Sequence, residues 1–497
     1  MNFTQTKFYK PLLVFMSILL LCGVSRVQAW LNQDRAALGL TRITPLENAP
    51  PVLAFTTVAL GGFRGLIANI LWIRANDLQE EDKYFEMMQL ASWITKLEPH
   101  FVQVWTVQAW NMAYNISVKF KEPQDRWRWV RRGLELLRDD GLRYNPDEPL
   151  IYRELAWFFQ HKMGYFLDDA QMYYKVQWYQ EMNYLFGGPA DFKKLLNPKD
   201  EEERLRVNVL RDRYKMDPVL MKEIDDHYGP LEWRLPDAHA IYWAVKALKK
   251  AKREDLMQVR RVIYQSMQEV FMRGALVEHP LTGDFMLRPN LDAIKNVDAA
   301  YHEMMDQEPA QAEHIGIGHK NFLKNAVYFL YTNNRLAEAE TWFKTVKKLY
   351  PGAISQDPAV EKKMTLEEYA FQQVTEEVKD TNVDKTRSLL IGLYTSAFVD
   401  LALDEDERAD RYQRMARAVR ARFDKETKGE AAKRLLLESD SDLKKMAFEH
   451  IVSAPRKMPA EAMARLRTKL NLPAAPASTN APAGRTNTPP RLLTPLK

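Results

Sequence analysis

"KNFLKNAVYFLYTNNRLAEAETWFKTVKKLYP", residues 320–351, reads as two helices joined by a turn. Leu323, Ala326 and Leu330 recur at helical spacing, which places them on one face of the first helix. "TNN" interrupts the pattern with side chains that compete for backbone hydrogen bonds and so favour a turn. Ala339 and Phe343 begin a second stripe one helical turn apart, and Pro351 closes it, because proline lacks an amide and clashes with the preceding turn. A small residue beside a large one lets two helices close up while the large one fills the gap that is left.

The same arrangement recurs near the start of the chain. "LWIRANDLQEEDKYFEMMQLASWITKLEP" ends in Pro99; counted back the same way, Leu71, Ala75 and Leu78 fall on a first helix and Met87, Ala91 and Ile94 on a second, with Trp72 flanking. The apolar residues just before it therefore read as the opening of a buried helix, with Leu66, Ile70 and Ile73 facing neighbours and Arg64 facing solvent or a partner carboxylate. The competing reading makes residues 52–73 a membrane span. Arg64 near its middle then costs about 2.5–3.5 kcal/mol. Nor does the charge bias support a return to the cytoplasm, since Asp77, Glu80, Glu81 and Asp82 follow the stretch and Arg26, Arg35 and Arg42 precede it.

Both windows resemble the tetratricopeptide repeat, a helix–turn–helix unit that stacks into a solenoid. Residues 320–351 depart from the family pattern in having Leu323 where tryptophan is usual. A looser unit spans Phe101 to Pro146, and a further pair runs through residues 149–182, where "LDD" at 167–169 reads as a helix cap. Another pair occupies residues 235–272, with Pro236 at a first helical position and Asp237 in the first turn. Residues 365–402 and 405–423 supply the last amphipathic helices, while "NPKDEEERLRVN" and "EHPLTGDFMLRPN" read as connectors or insertions. The resemblance implies an all-α, TPR-like superhelix acting as a non-catalytic scaffold that holds protein partners on a concave helical face.

The N-terminus carries an address. Lys7 and Lys10 precede the apolar run "PLLVFMSILLLCGV", and Val27 and Ala29 stand at the small-residue positions of an export cleavage site. The segment is either removed after Ala29 or retained as an anchor over residues 11–25; both place the remainder on the extracytoplasmic side. The expected organisation is thus a signal or anchor at 1–29, a linker at 30–62, helical pairs at 63–192, a helical middle with insertions at 193–310 and further TPR-like helices at 311–470. A tail rich in Pro, Ala and Thr at 471–497 lacks the apolar residues for a core and is expected to be disordered.

Composition narrows the chemistry. The formal charge of +5 comes from the leader and the tail, which hold basic residues and no acidic ones, so the body is near neutral and offers no footprint for nucleic acid. Cys22, the single cysteine, lies in the apolar leader, which excludes a disulfide or thiolate cluster in the body. No HExxH, GxSxG or Walker A spacing occurs, and no cofactor, metal or catalytic residue is assigned. "EHIGIGHK" offers Glu313, His314 and His319 in what reads as a loop, a weak metal pattern. Asp139–Asp140 and Asp168–Asp169 read as helix caps or stops, since adjacent acids on a helix do not face each other across a sugar.

Aromatic residues carry the candidate binding surface. Eight of the twelve tryptophans lie between Trp72 and Trp178, a density that suits either repeat core or a groove gripping an extended peptide or a glycan. "HYGPLEWRLPDAHAIYW", residues 227–243, is a second concentration, with Arg234 placed to pair a carboxylate and Trp233 to stack. Arg64, Trp110, Trp157, Trp233, Arg234 and His239 are accordingly the candidate partner-contacting residues. The alternative function is an extracytoplasmic glycan-binding or carbohydrate-active protein on the same helical frame.

Overall fold

The computed structural model describes residues 5–37, 64–165, 167–252, 256–278, 285–376, 383–426, 437–453 and 458–473. The expectations for residues 38–63 and for the tail from 474 onward lie outside these. Among the described residues the chain is all-α apart from one two-stranded antiparallel pair, β1 (Ala275–Glu278) with β2 (Phe285–Arg288). It divides into two compact units, Met1–Val104 and Trp105–Lys497.

The first unit begins with α1 (Gln5–Ala37), which runs unbroken past Ala29 and into the expected linker. Its stretch Val14–Leu31 is long and apolar enough to cross a membrane, and its apolar side chains are exposed. Helices α2 (Arg64–Glu80) and α3 (Tyr84–Leu97) form the first helix–turn–helix pair. Ala75, Leu78, Met87, Ala91 and Ile94 are buried as the spacing requires. Ala68, Ala91, Ile94 and Val104 make the core, with Leu71, Trp72 and Phe101 packed against it.

One expectation for α2 is overturned. Leu66, Ile70 and Ile73 are exposed by 55, 58 and 63%, while Ala68, Ala75 and Leu78 are buried. From Leu66 to Ile73 the helix is apolar except for Asn69, so periodicity alone could not choose the face. The line 68–71–75–78, which carries the smaller alanines, turned inward because alanine permits the closer approach of α3. Arg64 opens α2; its side chain lies outside the described residues.

The second unit contains α4 (Val102–Trp110, from Trp105 onward), α5 (Pro123–Glu135), α6 (Pro149–Trp157) and α7 (Gln171–Phe186). Helices α4, α5 and α6 each pass directly into a wider π-helical turn, at Asn111–Ile116, Leu136–Gly141 and Phe158–Gly164. There follow α8 (Phe192–Leu196), α9 (Glu201–Asp212), α10 (Pro218–Tyr228), α11 (Pro236–Leu248) and α12 (Leu256–Arg273). Beyond the strand pair come α13 (Ile294–Gln307), α14 (Ala312–Thr332), α15 (Leu336–Leu349), α16 (Pro358–Lys363), α17 (Leu366–Glu376), α18 (Val383–Ala402), α19 (Asp406–Glu426), α20 (Asp440–Ser453) and α21 (Ala460–Lys469).

The window 320–351 falls on α14 and α15, where Leu323, Ala326, Leu330, Ala339 and Phe343 are all buried. Its turn holds Asn334 in the left-handed region, at φ 64°, which asparagine tolerates better than most residues. Pro236 and Asp237 open α11 as expected. "NPKDEEERLRVN" proves to be a helix start: the Asp200 side chain accepts the Glu203 amide and caps α9, a signal that its run of charges had masked.

Most helix contacts join neighbours in sequence, as α11 with α12, α13 with α14 and α18 with α19. Others do not: α11 packs on α6, passing over α7 to α10, and α18 packs on α20 and α21. The "LDD" expectation is also corrected. Ala170, not an aspartate, precedes α7, and the Asp168 carboxylate accepts the Ala170 amide while pairing with Arg126 and Lys162.

Helices α4 and α5 approach closely at Gly133 of α5. A methyl group there would sit 2.8 Å from the Ala109 carbonyl oxygen and 3.2 Å from the Phe158 ring. Gly133→Ala is therefore expected to lower stability by about 1–3 kcal/mol by forcing backbone apart. Gly392→Ala, in α18 with nothing within 4 Å of the added carbon, is expected to raise it by about 0.5–1 kcal/mol. Denaturant unfolding of the two variants checks both signs.

Candidate functional site

The sequence motif "WNMAY", residues 110–114, sits where α4 becomes a π turn, and "WFFQH", residues 157–161, sits where α6 does the same. Residues four apart on a helix lie over one another, so each motif stacks its own two rings. Trp110 stacks on Tyr114 with ring centres 5.6 Å apart, and Trp157 on His161 at 4.6 Å. The two stacks meet through Tyr114 and His161, whose rings are 5.8 Å apart and whose hydroxyl and Nδ1 lie at 3.2 Å. Tyr165 extends the set beyond His161 at 6.3 Å.

The result is a ladder of five rings rather than a core. Trp110 is 39% exposed, and Tyr114, Trp157, His161 and Tyr165 are each half-buried. Two residues expected from the sequence, Trp110 and Trp157, thus belong to one surface. Tyr114, His161 and Tyr165 were not singled out as binding residues; the repeated aromatic at the fourth position after tryptophan was the readable signal.

Charge lies directly beneath the rings. The Lys162 ammonium is 4.9 Å from the centre of the Tyr114 ring and 2.6 Å from Asp168 Oδ2. Arg126 donates to Asp168 at 2.7 Å and to Asp169 at 2.6 Å. Burial disfavours ionisation of Asp168, but Lys162 and Arg126 outweigh it and hold the carboxyl below its usual range. Burial lowers the pKa of Lys162 despite Asp168, and burial with the adjacent Lys162 charge lowers that of His161. A neutral imidazole in the ladder presents a ring face without repelling the lysine below it.

A second layer is closed to solvent. Lys175 donates to the Gly164 carbonyl at 2.7 Å and also to the Gln171 side chain. Burial pushes its pKa down to about 8, against the pull of Asp237. Burial pushes Asp237 up to about 7, against the pull of Lys175. His239 is wholly buried between Phe159 and Trp178, donates from Nε2 to the Trp233 carbonyl at 2.8 Å, and is driven by burial to about 4, so it is neutral at pH 7.

Trp233, Arg234 and His239 are therefore reassigned. Trp233 is 1% exposed and donates its indole N–H to Asp225 at 3.0 Å. Arg234 forks onto Glu232 and donates to Asn183 at 2.8 Å, so its charge is used inside the chain. The segment 227–243 packs inward because its aromatics exceed what a solvated connector can expose. "EHIGIGHK" is corrected as well: it is helical, within α14, with His319 buried and His314 exposed. No family model and no curated protein matches the chain.

Lys175→Met is expected to cost about 1–2 kcal/mol of stability at pH 8, because it removes the donor to the Gly164 carbonyl and the cation that opposes protonation of buried Asp237. Asp237 has a raised pKa, so the cost is present above about pH 7 and shrinks as pH falls below it, where the carboxyl takes a proton. Urea unfolding at pH 8 and pH 5 checks the difference. Adding Asp237→Asn to Lys175→Met is expected to recover most of the loss at pH 8.

Proposed function

We propose that this chain is a TPR-like helical scaffold on the extracytoplasmic side of a membrane, held there or sent there by its apolar N-terminal segment, and that it grips an extended segment of a protein partner. The observation that carries the reading is the half-exposed ladder Trp110–Tyr114–His161–Trp157, braced from below by paired charges. Rings already locked by stacking lose little freedom when they bind, so they give contact area at low entropic cost. Neutral His161 and the three other ring faces suit proline or aromatic side chains of an extended peptide.

Three further features support the address and architecture. The exposed apolar stretch Val14–Leu31 in α1 has the length and composition for a membrane. The pairs α2–α3 and α14–α15 bury the small and large residues that the repeat pattern specifies. The near-neutral body favours contacts of shape and stacking over long-range attraction. Ring faces of this kind also stack on sugars, which keeps the glycan-binding reading as the second one.

The experiment is crosslinking of the full chain in its own cells, comparing wild type with Trp110→Ala combined with Trp157→Ala. A defined protein adduct is expected in the wild type and is expected to weaken by about 30-fold or more in the double variant, the loss typical of aromatic hot spots. Circular dichroism is expected to be unchanged, since both side chains are partly exposed. An adduct of equal strength in the variant overturns the reading. Binding of purified full chain to envelope polysaccharide, lost in the same variant, shifts it to glycan.

A further inference from the structure

Asp298 and His302 lie one turn apart on α13, in "DAAYH", and project from the same face. Helix α14 packs on α13 and sets His319 against them. His319 Nε2 is 2.7 Å from Asp298 Oδ1, and His302 Nε2 is 3.9 Å from the same oxygen. All three ligand atoms fall within 4.8 Å of one another. We propose that Asp298, His302 and His319 bind a divalent transition metal of the zinc type, joining α13 to α14.

Four observations support this beyond the cluster itself. Two imidazoles and one carboxylate are the donor set of borderline divalent ions, and they supply the single negative charge that compensates part of the ion's own. Ligand atoms on a tetrahedral zinc, bound at about 2.0–2.2 Å, stand roughly 3.3 Å apart, so the observed 2.7 and 3.9 Å bracket the bound spacing. His319 is oriented from behind: its Nδ1 lies 2.7 Å from the Tyr350 hydroxyl, which follows α15. Metal-binding histidines are usually fixed in this way through their second nitrogen. Access is open, because the His302 side chain is 50% exposed while that of His319 is fully buried.

The metal-free contacts of His319, with Asp298 through Nε2 and with the Tyr350 hydroxyl through Nδ1, are the ones a ligand set holds before an ion enters. Without metal, the neutral ring donates from Nε2 to Asp298 and accepts at Nδ1 from Tyr350. With metal, Nε2 gives its lone pair to the ion and the single ring proton resides on Nδ1, donated to the Tyr350 oxygen. Three protein ligands would leave a fourth position for water. The site stands independently of the aromatic ladder and of the function proposed for it.

The test uses the full chain in detergent, stripped with a chelator and titrated with zinc against a chromophoric competitor, and with cobalt(II) read by its visible absorption. The expected result is one equivalent bound, with cobalt bands of low coordination number. His302→Ala removes a half-exposed ligand without opening the core and is expected to weaken zinc at least 10-fold, with circular dichroism unchanged. Tyr350→Phe is expected to weaken it by about 10–100-fold while keeping one equivalent. Absence of stoichiometric binding in the folded wild type overturns the proposal, and so does equal zinc affinity in His302→Ala.

Discussion

The approach of α5 to α4 across a single hydrogen atom at Gly133 is the constraint on which the surface of this protein depends. With the Ala109 carbonyl 2.8 Å from where a β-carbon would be, the two backbones leave no room for a side chain between them. That closeness fixes where α4 ends and where Phe158, also against Gly133, must lie. Phe158 belongs to the π turn that carries His161, and its ring meets Tyr114 edge-on at 5.8 Å. A contact between two small residues in the interior thus registers the rings on the outside. The stacking energy of each pair, about 0.5–1.5 kcal/mol, is too small to set this geometry alone.

The buried charges follow from the same packing. Lysines at 162 and 175 and an aspartate at 237 are each under 5% exposed, a placement that is costly unless each meets an opposite charge or a carbonyl. Lys162 meets Asp168; Lys175 meets the Gly164 carbonyl and the field of Asp237. Gly164 is essential to the second of these, since a methyl group there would lie 2.9 Å from Asp237 Oδ1. Such pairs add little net stability over apolar residues of the same size, but they tolerate only one arrangement of α6, α7 and α11. Here that arrangement holds the ladder's underside rigid.

How much of this was legible varied with the kind of signal. Helix pairs with caps, prolines and small–large spacing were readable: Leu323, Ala326, Ala339 and Phe343 are buried where the pattern puts them. Faces were not readable where a run of helix is almost wholly apolar, as from 66 to 73, and Leu66, Ile70 and Ile73 turned outward against expectation. Trp233 and His239 drew attention by their density, yet density is also what a core requires, and both are buried. Contacts across long separations carry no local trace. Asp298 and His319 meet through helix packing, and Tyr114 meets His161 across 47 residues.

The π turns are the feature that neither periodicity nor composition announces, and they bear most directly on the surface. A π turn bonds each amide to the carbonyl five residues back, so it fits one more residue into a turn than an α-helix does. Each stacked pair spans one such junction with its two residues four apart. Trp110 with Tyr114, and Trp157 with His161, occupy that position at the junctions, and their ring planes differ by only 18° and 10°. Residues four apart inside a regular helix stack too, as Tyr394 and Phe398 do in α18 with planes 26° apart; at these junctions the planes are closer to parallel. Because the wider turn has poorer backbone hydrogen bonds, it persists only where packing and stacking favour it. The junctions therefore present two near-parallel stacks, which meet at a tilt of 37° where Tyr114 faces His161.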